Sequence, residues 1–209
     1  MSQSLPFVLY EPTGGQAPHP VIVFLHGSGE RGDGDFVLAK KHGLPKYLDQ
    51  GNTLPAYVLV PQCPLNVGWG DVLSRLDRTI TDVIAAHDID QRRLYITGFS
   101  MGGYGSWSYV THYPTRFAAM LPVAGTGFHQ IFLRELDPCA IGSTPVWIIQ
   151  SGGDPIVPAS RSDVIVANLT DCGANFKYTR YETEDHGETA QRAFFDPAIY
   201  EWLFQQTKP

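Results

Sequence analysis

The sequence predicts an α/β fold: a mostly parallel central sheet with helices on both faces and a minimal lid or none. Three observations carry this. Short apolar runs rich in β-branched and aromatic residues recur along the 209 residues. Stretches of helical periodicity separate them. The central runs are continuously apolar rather than alternating, the pattern of parallel strands covered on both faces.

Residues 5–10 (LPFVLY) read as an antiparallel edge strand. Residues 21–25 (VIVFL), after the proline-rich APHP, form the first central run. Residues 33–53 are the least regular stretch, with a short helix expected over 36–41. Residues 56–60 (AYVLV) form a strand stopped by Pro61. Residues 72–87 carry apolar side chains at Val72, Leu73, Leu76, Ile80, Val83 and Ile84, the spacing of an amphipathic helix, with Asp71 as a candidate cap.

Residues 93–97 (RLYIT) are the third central run, and a helix is expected over 102–113, ending before Pro114. Weaker and stronger strands follow at 118–123 (AAMLPV) and 146–150 (VWIIQ). Residues 176–181 (FKYTRY) alternate more and suit a sheet edge. Helices are expected over 160–169 and 196–206, the latter with Asp196 as N-cap and Pro197 in the first turn. There is no repeat, linker or low-complexity tract, so residues 1–209 are expected to form one domain.

Composition narrows the function. The formal net charge is −6 and no basic run occurs, which argues against nucleic-acid and anionic-membrane partners. No apolar run approaches the roughly 18 residues of a membrane span. The start, MSQSLPFVLYEP, lacks the basic and apolar regions of a signal peptide, so a cytoplasmic location is expected. Cys63, Cys139 and Cys172 are far apart and form no CxxC; they are expected to be reduced, with neither a disulfide framework nor a metal site.

Chemistry concentrates in four places. Gly98-Phe99-Ser100-Met101-Gly102 matches G-x-S-x-G between a strand and a helix. A sharp strand-to-helix turn there projects the serine above the sheet edge at a helix N-terminus, where the helix dipole favours developing negative charge. The loop His26-Gly27-Ser28-Gly29-Glu30-Arg31-Gly32 follows the first central strand and can aim a backbone amide at the same point. Ser28 and Met101 N–H are the expected oxyanion donors, with Gly27 the next choice. His26, Glu30 and Arg31 are read as braces of that loop, with Glu30 and Arg31 a candidate ion pair.

Of seven histidines only His186 follows a late strand, in Thr183-Glu184-Asp185-His186-Gly187-Glu188. Asp154 follows residues 146–150 in SGGDPIVP. The order Ser100, Asp154, His186 is that of nucleophile, acid and base across three strand ends. Asp185 is a rival acid, but neighbours in sequence orient each other's side chains poorly.

With LHGSGERG, VPQCP and the following Trp69, GFSMGGYGSW, SGGDPIVP, DHGE and the terminal YEWL, the chain resembles the carboxylesterase, polyhydroxybutyrate-depolymerase-like and "predicted peptidase" group of the α/β-hydrolases. The resemblance runs from Leu25 to Leu203. It implies Ser100 as nucleophile, Asp154 as acid, His186 as base, oxyanion donors at Ser28 and Met101, and no metal or organic cofactor. Gly187-Glu188-Thr189 stand where such relatives often carry an aromatic.

The expected activity is hydrolysis of small carboxylic esters, with short acyl groups favoured because little chain is left over for a lid. The largest lid candidate is residues 125–144. Trp69 and Gly27 are candidate substrate contacts, a core position being equally open to Trp69. A peptidase or thioesterase would use the same triad, and a silent binding protein on the same fold is a third reading.

Overall fold

The computed structural model describes residues 3–126 and 137–208. Seven strands form one sheet: β1 (Phe7–Tyr10), β2 (His19–Leu25), β3 (Tyr57–Pro61), β4 (Ile89–Phe99), β5 (Ala119–Val123), β6 (Val146–Ser151) and β7 (Phe176–Tyr181). The spatial order is β1-β3-β2-β4-β5-β6-β7; only β1 runs antiparallel, against β3. All seven expected strands are present, with β7 at the expected edge. β4 extends beyond the expected run at both ends.

Among the described residues seven α-helices accompany the sheet: α1 (Phe36–Ala39), α2 (Gly43–Asp49), α3 (Leu73–Ala86), α4 (Met101–His112), α5 (Ala159–Asp171), α6 (His186–Phe194) and α7 (Pro197–Phe204). Two of them, α2 and α6, lie where the sequence suggested irregular chain. Buried side chains form two apolar layers. Leu76, Ile80 and Val83 of α3 pack with Val21, Val23, Leu25 and Ile96 on one face. Phe194, Ile199 and Leu203 of α6 and α7 pack with Ile22, Phe24 and Tyr95 on the other. Strands covered on both sides are continuously apolar for this reason. Helix α4 is buried from Met101 to Val110, so it shows no amphipathic stripe, and tertiary packing rather than propensity holds it.

The cysteine expectation is corrected. Cys139 and Cys172 form a disulfide, with Cα atoms 6.2 Å apart and a separation of 33 positions in sequence. Only Cys63 is free, and it is buried. The pair meets because a turn at Pro138–Ile141 packs beside α5, whose C-terminus carries Cys172; spacing alone holds no trace of that. Residues 127–136 of the expected lid segment, which include FHQIFLREL and His129, lie outside the described residues. Among the described residues no helix is long and apolar enough to cross a membrane.

Closing a loop of this length restricts the unfolded chain by about 3–4 kcal/mol. Cys139→Ser should therefore lower the unfolding free energy by an amount of that order in urea titrations. Without reductant, the denatured wild-type chain should offer one titratable thiol rather than three.

Candidate active site

The site begins where β4 turns into α4. Ser100 takes φ 56° and ψ −118°, a left-handed backbone that a serine adopts only under constraint. The constraint is close approach of main chains. A Cβ on Gly98 would lie 2.3 Å from the Gly102 carbonyl oxygen, and one on Gly102 would lie 1.8 Å from the Leu25 carbonyl oxygen. Neither contact can be relieved by a rotamer change, so both positions require glycine. Ser100 N–H donates to Val123 O at 3.0 Å, tying the turn to β5. Met101 opens α4, so its amide is one of the helix's unpaired first-turn donors.

Asp154 leaves β6 on the same edge. Its Oδ2 accepts from His186 Nδ1 at 2.7 Å and from Gln150 Nε2 at 3.3 Å. Its Oδ1 accepts from the amides of Ile156 and Val157 at 2.8 and 2.9 Å. Burial pushes the carboxyl's pKa up. The His186 hydrogen bond, the two backbone amides and the His186 charge outweigh this and hold it below its ordinary 3.8. Asp154 is thus an ionised, acceptor-only group at neutral pH. It requires His186 Nδ1 to carry a proton, which leaves Nε2 with the lone pair of the neutral ring.

His186 is the first residue of α6, not a loop residue as expected. The signal was present in Asp185-x-x-Glu188: Asp185 Oδ1 accepts from Glu188 N–H at 2.8 Å, and Glu188 Oε2 accepts from Asp185 N–H at 3.0 Å. That reciprocal cap fixes the helix start. It also engages the rival Asp185 carboxylate away from the imidazole. The His186 ring lies against Phe99, centroids 4.6 Å apart, one residue before Ser100. The structure therefore brings Asp154, His186 and the Ser100 turn together.

The loop after β2 approaches from the other side. A Cβ on Gly27 would sit 3.6 Å from Ser100 Cβ, so this loop passes directly over the turn. His26, fully buried, donates from Nδ1 to Gly27 O at 2.7 Å and accepts at Nε2 from Cys63 N–H at 3.0 Å. Since a trans peptide sets its C=O and N–H on opposite sides, this bond also sets the direction of the Ser28 N–H.

Gly27 N–H itself donates to Glu30 Oε2 at 2.8 Å, so it is not a free oxyanion donor. Glu30 pairs with His42 rather than with Arg31. Arg31 instead donates to Val67 O at 2.6 Å and Ser28 O at 3.1 Å. Gln62, after β3, donates to the carbonyls of Glu30 and Asp35 and accepts from Gly34 N–H.

Of the two positions open to Trp69, pocket wall or core, the structure shows the core one. Trp69 is wholly buried, and its Nε1 donates to His26 O at 3.0 Å. Packing beneath the loop leaves it no face toward a substrate. Among the described residues no group of three or more His, Cys, Asp or Glu side chains is placed to hold a metal.

Residues 65–198 match the dienelactone hydrolase family model. A poly(3-hydroxyalkanoate) depolymerase C of Paucimonas lemoignei is 27% identical over 169 residues, 73% of this chain and 37% of that protein. A thermostable esterase crystal structure superposes with a TM-score of 0.78 at 29% identity, over 96% of this chain and 59% of that one. A puromycin-hydrolysing peptidase of Mycobacterium tuberculosis shares the fold, with a TM-score of 0.68 at 19% identity, over 95% and 36% of the two chains. This chain thus spans little more than a third of the depolymerase and under two thirds of the esterase.

Burial holds His26 below its ordinary pKa of 6.5, against the pull of the Gly27 carbonyl and the Glu30 charge. The unfolded chain therefore binds this proton first, and stability should fall as pH drops below about 6.5. His26→Asn keeps a donor for Gly27 O and removes the titration. Urea midpoints between pH 7 and 5 should fall less steeply for that variant than for the wild type.

Proposed function

The chain belongs to the dienelactone hydrolase family, and on that premise we propose that it is a serine hydrolase of carboxylic esters with short acyl groups. The observation that carries this reading is the His186 imidazole, held through Nδ1 by an ionised Asp154 and laid against the residue preceding Ser100. His186 Nε2 takes the Ser100 proton as Oγ attacks the ester carbonyl. Ser28 and Met101 amides receive the oxyanion. The intermediate collapses, His186 hands the proton to the departing alkoxide, and the acyl-enzyme forms. Water, deprotonated by the same histidine, then releases the acid. The substrate is a small-molecule ester. The Cys139–Cys172 bond favours work in an oxidising compartment over the cytoplasm expected from the sequence.

A fluorophosphonate probe should add to the wild-type protein and not to Ser100→Ala, as read by intact mass; an unlabelled folded wild type would overturn the nucleophile. Asp154→Asn should fold and lose about 10⁴ in rate, because an amide can hold the wrong histidine tautomer. Asp185→Asn should cost far less.

Among p-nitrophenyl esters, kcat/KM should peak at short acyl chains. Each added methylene gains about 0.8 kcal/mol only if it is buried. A steady rise to palmitate would reveal a deep acyl tunnel.

A further inference from the structure

A second carboxylate–imidazole pair stands beside the candidate site. Glu30 is 2% exposed, and its two oxygens take Gly27 N–H and His42 Nδ1. The His42 ring packs on the Phe99 ring that also carries His186, at 5.9 Å between centroids. Unlike Glu30, His42 is open, with 35% of its side chain exposed. With Nδ1 engaged by a carboxylate, Nε2 is the ring's remaining polar atom, an acceptor in the neutral imidazole.

His42 lines a cleft of about 280 Å³ between α2 and α6. Lys46 lies in the same wall and donates one proton to Gln191 Oε1 at 3.0 Å, leaving two of its three donors. Asp185 and Gly187, which flank His186, form the opposite wall. Glu188 completes it.

The direction of the reaction says what enters this cleft. His186 must reach the leaving-group oxygen to protonate it, so the alcohol half of the ester lies on the His186 side of Ser100. The wall there is polar, with an acceptor at His42 and a donor at Lys46. An apolar alcohol would desolvate both without replacing their hydrogen bonds, at a cost. One lysine against Asp185 and Glu188 also disfavours an anionic alcohol.

Resting on the serine hydrolase reading, we propose that the α2–α6 cleft is the leaving-group subsite and selects esters of neutral, hydroxylated alcohols. One hydroxyl donates to His42 Nε2, and another accepts from Lys46 Nζ.

The test compares glycerol monobutyrate with propyl butyrate, the same acyl group on a three-carbon alcohol with and without hydroxyls, both below their solubility limits. The wild type should favour the glycerol ester by about tenfold in kcat/KM, the size of one to two net hydrogen bonds. His42→Phe keeps a ring against Phe99 and removes the acceptor; Lys46→Met removes the donor from a partly exposed position. Each should bring the ratio of the two substrates toward one. Equal efficiencies in the wild type, or a ratio unmoved in both variants, would overturn the subsite. Failure to hydrolyse p-nitrophenyl butyrate would instead overturn the serine hydrolase reading beneath it.

Discussion

Leu25 ends β2 in register with Gly98, the next-to-last residue of β4, and the first turn of α4 crosses them at a separation no side chain can share. This meeting of three main chains governs the edge that carries the candidate site. It forces Ser100 into its left-handed backbone, since the chain must leave β4 and enter α4 within one residue. It also decides where the loop after Leu25 begins, and so places Gly27 against the serine. Moving either strand by one residue would exchange its inward and outward faces. The apolar layers on both sides of the sheet therefore protect the geometry of the turn as well as the stability of the fold.

The loop over the turn has little apolar surface of its own, and its first side chain together with two from outside it hold its shape. Gln62 bridges Glu30, Gly34 and Asp35, His26 links Gly27 to Cys63, and Trp69 holds the His26 carbonyl. Each group is buried and each has its partners. Removing one would leave a buried donor or acceptor unpaired, which costs more than the bond itself contributes. Residues in the segment from Pro61 to Trp69 thus act on the site without facing it.

The strands were legible in the sequence because continuous apolar runs have one explanation in a chain of this kind. The Ser100 turn and the Asp154 and His186 positions were legible because strand ends order them. The rest was hidden for physical reasons that differ. Helix α6 was missed although Asp185 and Glu188 spell its cap, because the histidine between them drew the reading toward a loop. Trp69 gave no sign of its burial, since an aromatic beside two glycines suits a core and a pocket equally. The Cys139–Cys172 bond and the Glu30–His42 pair join residues 33 and 12 apart through tertiary packing, and no local pattern encodes either.

Three imidazoles show how the same side chain is set to different work. In each, an oxygen acceptor fixes Nδ1, so the surroundings and the second nitrogen decide the outcome. His26 meets a neutral carbonyl in a buried place; its Nε2 is spent on Cys63 N–H, and burial keeps it uncharged. That ring can only orient a peptide. His186 meets a carboxylate that four donors hold ionised, and its ring is partly open beside Ser100. Its second nitrogen is the one that the proposed proton transfer uses. His42 also meets a carboxylate, but Glu30 divides its charge between the imidazole and Gly27 N–H, and the ring opens onto a cleft instead of the serine. Any displacement of Glu30 therefore acts in two places, on the peptide that aims Ser28 N–H and on the ring that faces the α2–α6 cleft.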